Sequence, residues 1–417
     1  MNLYRLELKR VCKTRMTAIL LAIALVLAVV MAYLPVTFIG WTELDASGNK
    51  VSYTGLKAIR KRQEQQVSGT ITPDVMQEAL EAYQRVYRQY DANSINDIPV
   101  EVFYKELARY QPLVNNAKEA FADPKTGMAP GVMGLTAEDM QNFYSQLPKR
   151  LESVIWLEQD GKSGYEQAQA IAQKKFDAVQ KPFTYSFGVS SDAMDYQTLL
   201  SLLLTLLCAV IAAPVFASDA QTGAQDIQLC TKNGGLRLAA AKLAAAFSIT
   251  GAAYLLCGVV WILVTNALFG WESTQTSVQW LFSVTSLLPY TVGQMEWVML
   301  VANFLIFFAE VAFVLMASVW AKNNLTALSV ALISVVAPLI VYMVVPGSFG
   351  EWLSTLIPAG GIGLSNALLY KMIGFDFLYA GGHTFFQADV LLASAPIKIV
   401  LLVGLAAWGY LRKTKVA

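Results

Sequence analysis

Six runs of apolar residues, each about as long as a bilayer is thick, leave this chain few ways to fold. The first, MTAILLAIALVLAVVMAYLPVTFIGW, covers Met16 to about Trp41. The others run from about Leu199 to Ala217, Leu238 to Phe269, Trp297 to Trp320, Leu325 to Val345 and Val390 to Leu411. About 20 apolar residues cross the hydrocarbon core as a helix, and in lipid only helices and closed barrels satisfy every backbone group. The runs lack the alternation of barrel strands, so six helical spans are expected. Composition agrees, with 55% hydrophobic residues and a mean hydropathy of +0.46. Charged residues are 15%, against about 25% in soluble domains. The expected fold is an all-α polytopic membrane protein that also carries water-exposed parts.

Lys and Arg placement sets the expected orientation, because cytosolic loops are enriched in both. Six spans put both termini on one side. That side holds Arg5, Lys9, Arg10, Lys13 and Arg15 before the first span, Lys232, Arg237 and Lys322 in loops, and Arg412, Lys413 and Lys415 at the end. Its acids are few: Glu7, Asp219 and Asp226. Both termini are therefore read as cytosolic. The first span lacks a small-residue cleavage site and is read as a retained anchor rather than a signal peptide.

Residues 42–193 then form an extracytoplasmic domain, and its pattern is helical. Thr72 and Pro73 suit an N-cap and first helical position, followed by Met76, Leu80, Tyr83, Tyr87 and Tyr90 at helical spacing. That stripe reads either as a ligand-binding face or, more simply, as a core face. Thr136 and Asp139 suit a capping box before Met140, Phe143, Tyr144 and Leu147. Pro148 is expected to break that helix and start the next, with Leu151, Val154 and Ile155; a last helix carries Tyr165, Ala168, Ala172, Phe176 and Val179. A second outer segment, 346–389, is glycine-rich and too apolar for a free loop, so partial re-entry or an interfacial helix is expected. Trp271 and Trp280 should sit at the outer interface.

Several chemistries are disfavoured. The four cysteines, Cys12, Cys208, Cys230 and Cys257, are scattered, and the one histidine, His383, lies on the opposite side. A metal site or a histidine-based triad is not expected. Gly161-Lys162-Ser163 lacks the upstream glycine of a phosphate loop, since Trp156 stands there. Mixed, balanced charges give no nucleic-acid surface. Glu310, in NFLIFFAEVAFVLM, falls near mid-membrane, where a charged carboxylate costs about 2.5–3.5 kcal/mol. It reads as a proton or cation site, or as a carboxyl hydrogen-bonded to a neighbouring helix.

The cytosolic segments carry the most specific pattern. Residues 1–15 form an amphipathic helix with Tyr4, Leu8, Val11 and Cys12 on one face and Arg5, Lys9 and Lys13 on another, suited to lying flat on a membrane. Between the second and third spans comes FASDAQTGAQDIQLCTKNGGLRLAAAK. Ala220, Gly223, Ala224, Ile227 and Cys230 follow helical spacing, Asp219 and Asp226 lie off that stripe, and Gly234 and Gly235 supply a break.

Together these segments resemble the ABC type-2 exporter permeases. The resemblance rests on an aromatic (Phe216), an acid (Asp219), a glycine four residues on (Gly223), and Arg237 and Lys242 opening the third span. Aspartate stands where the family usually has glutamate, and Cys230-Thr231-Lys232 departs from its Ser-Thr-Pro. Ser318, Lys322 and Asn323 resemble the family's turn after the fourth span, and Pro358 its proline after the fifth. The likeness covers all six spans and fits the sub-group with a large outer domain, such as sodium-efflux and peptide-antibiotic-resistance permeases.

The resemblance implies a multi-pass subunit of a bacterial plasma membrane that pairs with a second permease, identical or related. It implies a cytosolic coupling helix at 219–235, with Phe216, Asp219, Gly223, Asp226, Arg237 and Lys242 joining it to a separate ABC ATPase subunit. ATP and magnesium would be bound there, with no cofactor on this chain. Domain organisation would then be an elbow helix at 1–15, a span at 16–41, the outer domain at 42–193, and spans two to six within 194–417. Exported cargo would be a lipid, peptide, drug or ion. A non-transporting scaffold or receptor using the outer domain, and a gradient-driven carrier using Glu310, are the other readings open.

Overall fold

The structure, a computed structural model, describes residues 3–45 and 49–414; Lys415, counted above among the terminal bases, lies outside them. About 72% is helical, and among the described residues six helices are long and apolar enough to cross a membrane. They are Arg15–Thr37, Ser191–Ala212 with its continuation Pro214–Thr222, Leu236–Phe269, Val292–Trp320, Asn324–Val344 and Gln387–Thr414. They are called here the first to sixth long helices. The fourth packs most extensively on the sixth, and the first on the second and third. An N-terminal helix, Leu3–Cys12, lies along the third.

The two ends of the bundle differ in what they carry. At one end the first and last described helices meet the turns after the second and fourth. Lys413 Nζ, for instance, donates to the Val319 carbonyl at 2.6 Å. Residues 38–190 and 345–386 both connect to the other end. There Gln63 Nε2 donates to the Phe269 carbonyl, and Ser283 Oγ donates to Glu119 at 2.5 Å.

Most buried apolar residues of 38–190 join a core continuous with that of the long helices. Thr72 caps Pro73–Gln89 through Val75 N, and Thr136 with Asp139 closes a capping box, as the pattern predicts. Met76, Leu80, Tyr83 and Tyr87 are buried, so the tyrosine stripe is a core face; Tyr90, past the helix end, is exposed. Phe143, Leu147, Leu151, Ile155 and Phe176 are fully buried as well. Tyr144 ties the core to the chain around it, donating to the Ile71 carbonyl at 2.6 Å and accepting from Phe183 N at 2.9 Å.

Three expectations are corrected. Pro148 does not break its helix: Phe143–Gln159 runs through it, giving up one ladder bond while Leu147 and Leu151 hold both sides in the core. The first span ends at Thr37 rather than Trp41, because GWTEL and KVSYT, rich in strand-favouring residues, pair as an antiparallel ribbon with Trp41 buried. Among the described residues the fold is thus mostly helical with three small two-stranded ribbons, rather than all-α. Segment 346–389 holds a short amphipathic helix, Gly347–Leu356, then Leu368–Ile373 and a hairpin pairing Phe377–Ala380 with His383–Phe386. Gly381 and Gly382, both at positive φ, make its two-residue turn. Gln159 and Gln167 dock this hairpin onto residues 143–177.

Candidate functional site

Pro214 starts the local structure. It has no N–H, and its ring opposes the carbonyl four residues earlier, so the ladder of the second long helix is interrupted there. Backbone groups on either side need partners from elsewhere. Ser318, fully buried near the end of the fourth long helix, supplies them. Its Oγ donates to the Ala213 carbonyl at 2.6 Å and accepts from Phe216 N and Ala217 N, each at 3.0 Å. One hydroxyl therefore fixes the continuation Pro214–Thr222 to the fourth helix. Ser318→Ala would strip three buried backbone groups of this partner, for an expected loss of about 1–3 kcal/mol, read as a lowered Tm of the solubilised chain.

One turn further on, Asp219 is buried among charges from two other helices. Its Oδ2 accepts from Lys242 Nζ of the third long helix at 2.6 Å. Arg10 of the N-terminal helix reaches both carboxylate oxygens, at 3.0 and 3.1 Å, and donates its other terminal nitrogen to the Val215 carbonyl at 3.0 Å. Glu7 completes the group, 3.4 Å from Lys242 and 3.5 Å from Arg10. Two acids thus face two bases, with the Lys242 side chain wholly inaccessible. The Phe216 ring lies 6.0 Å from Lys242 Nζ and 5.5 Å from the ring of Tyr410 on the sixth helix. Four parts of the chain, more than 200 residues apart at the extremes, are locked here.

The structure gathers Phe216, Asp219, Lys242 and Ser318 into this cluster and leaves the rest of the pattern outside it. The segment 219–235 is not one helix. Gly223, at φ 74° and ψ 0°, ends the first piece in the left-handed conformation and Ala224–Leu229 follows as a separate six-residue helix. Asp226, Ile227 and Cys230 are exposed, Ile227 by 74%. Arg237 is also exposed and bonds Asn233 at 3.3 Å, so it is Arg10 and Lys242, not Arg237, that hold Asp219. Asn323 is the N-cap of the fifth helix, accepting from Thr326 N at 2.8 Å, while Lys322 is exposed. Glu310 is fully buried and far along the fourth helix; its Oε1 accepts from Ser334 of the fifth and its Oε2 has no partner.

Sequence reasoning missed the contributions of the N-terminal helix. Its buried stripe includes Glu7 with Val11, while Cys12, placed on the apolar face above, is exposed. The signal was present: Glu7 is the sole acid among the bases of that segment and lies one turn before Arg10. Lys398, within the sixth apolar run, was also missed as the cation near Glu310; its Nζ donates to the Thr355 and Ile357 carbonyls. Compared with protein-family models and with curated proteins, the chain matches none.

Proposed function

We propose that this chain is the membrane subunit of an ATP-binding-cassette exporter of the type-2 permease kind, moved by a separate ATPase that binds ATP and magnesium. On this reading both termini are cytosolic, residues 38–190 lie outside the cytoplasm, and a second permease, identical or related, faces this one. The cargo is a lipid, peptide, drug or ion. Support comes chiefly from one arrangement: the short helix Ala224–Leu229 presents Asp226 and Ile227 outward, while the chain leading into it is clamped at Asp219 to the N-terminal and third helices. A push on that helix would reach several long helices at once instead of being lost in a loose loop. Bases gathered at this end, from Arg5 to Lys413, favour the cytosolic side. A scaffold or receptor gives no reason for such a clamp. The carrier reading rests on Glu310, whose neighbouring cation is Lys398.

Gentle extraction from the native membrane should bring an ATP-hydrolysing subunit with the chain. Ile227→Glu, on the exposed face, should abolish that association and leave the gel-filtration profile unchanged. A complex that keeps transport-coupled ATPase activity with Ile227→Glu would dismiss the coupling role. For sidedness, in a Cys12→Ser background, an impermeant maleimide should label Cys230 only after cells are opened. Labelling of intact cells would invert the topology and sink the proposal.

A further inference from the structure

At the opposite end of the bundle, the third and fourth long helices open a cavity of about 380 Å³. Its walls include Glu296, Asn266, Trp271 and Trp297. Glu296 is 1% exposed, and Asn266 is fully buried. Asn266 Nδ2 uses both hydrogens, one on the Ile262 carbonyl at 2.9 Å and one on Glu296 Oε2 at 2.6 Å. Because both neighbours accept, the amide's orientation is fixed, and its Oδ1 is left without a partner. Glu296 Oε1 is also without one. Two buried acceptors of the same wall therefore lack a donor.

A buried carboxylate without a counter-charge is costly, and an unpartnered buried acceptor costs about 1–3 kcal/mol. A bound cation that donates hydrogen bonds would serve both acceptors and supply the missing charge. Among the residues lining the cavity, Glu296 is the one ionisable group, so a counter-charge bound there comes from outside the lining. Trp271 and Trp297 are 55% and 46% exposed and supply indole faces, which attract cations, most strongly when desolvated. A hard divalent metal is usually held by several carboxylates, and this lining offers one beside two indoles. We propose that this cavity binds an organic ammonium, held by the Glu296 carboxylate and the Asn266 oxygen and shielded by Trp271 and Trp297. The site is independent of the coupling reading above. An ammonium of this kind is offered by a lipid headgroup or by a free amine.

The test uses the full chain in nanodiscs of phosphatidylglycerol, which has no amine. Choline should bind saturably by calorimetry, and its neutral carbon analogue dimethylbutanol should not. In a second arm, phosphatidylethanolamine is doped into the disc and lipid retained by the chain is read by native mass spectrometry. Retention of that lipid without choline binding assigns a headgroup site; choline binding alone assigns a soluble amine. Either should weaken about tenfold or more in Glu296→Gln, which removes the charge. Trp297→Leu, at a half-exposed position outside the core, should weaken binding similarly, while Trp297→Phe keeps most of it. Equal binding of the neutral analogue, no binding in either arm, or binding unaltered by Glu296→Gln and Trp297→Leu overturns the proposal.

Discussion

Lys242→Met is expected to destabilise the chain by about 3–5 kcal/mol, because removing one member of a buried ion group leaves its partners uncompensated. The Lys242 side chain is wholly inaccessible, and its ammonium sits 2.6 Å from Asp219 and 3.4 Å from Glu7. Without it, Arg10 alone faces two carboxylates, and Arg10 is itself 35% exposed. Asp219→Asn should be costly for the mirror reason, leaving Lys242 with only the longer contact to Glu7. The double variant should cost less than the sum of the two, by about 0.5–3 kcal/mol, since each single change strands a charge that the other removes. Arg237→Met is the control. That residue is exposed and bonds the neighbouring Asn233, so the change should stay within about 0.5 kcal/mol. Thermal unfolding of the detergent-solubilised chain, followed by gel filtration, reads all four. Equal midpoints for Lys242→Met and Arg237→Met would show that the cluster does not hold these helices together.

What the sequence could disclose followed the range of each interaction. Apolar runs and caps are local, so the six long helices were legible with ends off by up to about two turns, and the caps at Thr72 and Thr136 to the residue. Pairings across the chain were not. Asp219 and Lys242 stood out by spacing, yet their partners Glu7 and Arg10 lie more than 200 residues away, and Glu7 read as a stray acid in a basic helix. Lys398 was hidden inside an apolar run that still averages as a span. Pro148 was misread because the proline rule is local, while the packing of Leu147 and Leu151 that overrides it is not. The hairpin after Phe377 was marked by a glycine pair, but its docking depends on Gln159 and Gln167, again about 215 residues distant.

Gly234, rather than Gly223, should prove the sensitive glycine of the segment after the second long helix. Gly223 is the one the spacing singles out, and it does occupy the left-handed region, at φ 74°. A side chain there meets open space, with nothing within 4 Å of an added Cβ. Gly223→Ala therefore costs only backbone strain, roughly 1–2 kcal/mol. At Gly234 an added Cβ would lie 1.7 Å from the Gln228 carbonyl oxygen and 2.6 Å from its carbon. Both are backbone atoms at the end of Ala224–Leu229, so no rotamer change can make room. Gly234→Ala must move the short helix itself. If that helix transmits force from an ATPase, Gly234→Ala should depress transport-coupled ATP hydrolysis far more than Gly223→Ala. The buried cluster at Asp219 and the long helices should keep their stability, since Gly234 touches neither. Equal activity in the two variants, with Gly234→Ala folded, would mean that the position of the exposed helix does not matter to the machine.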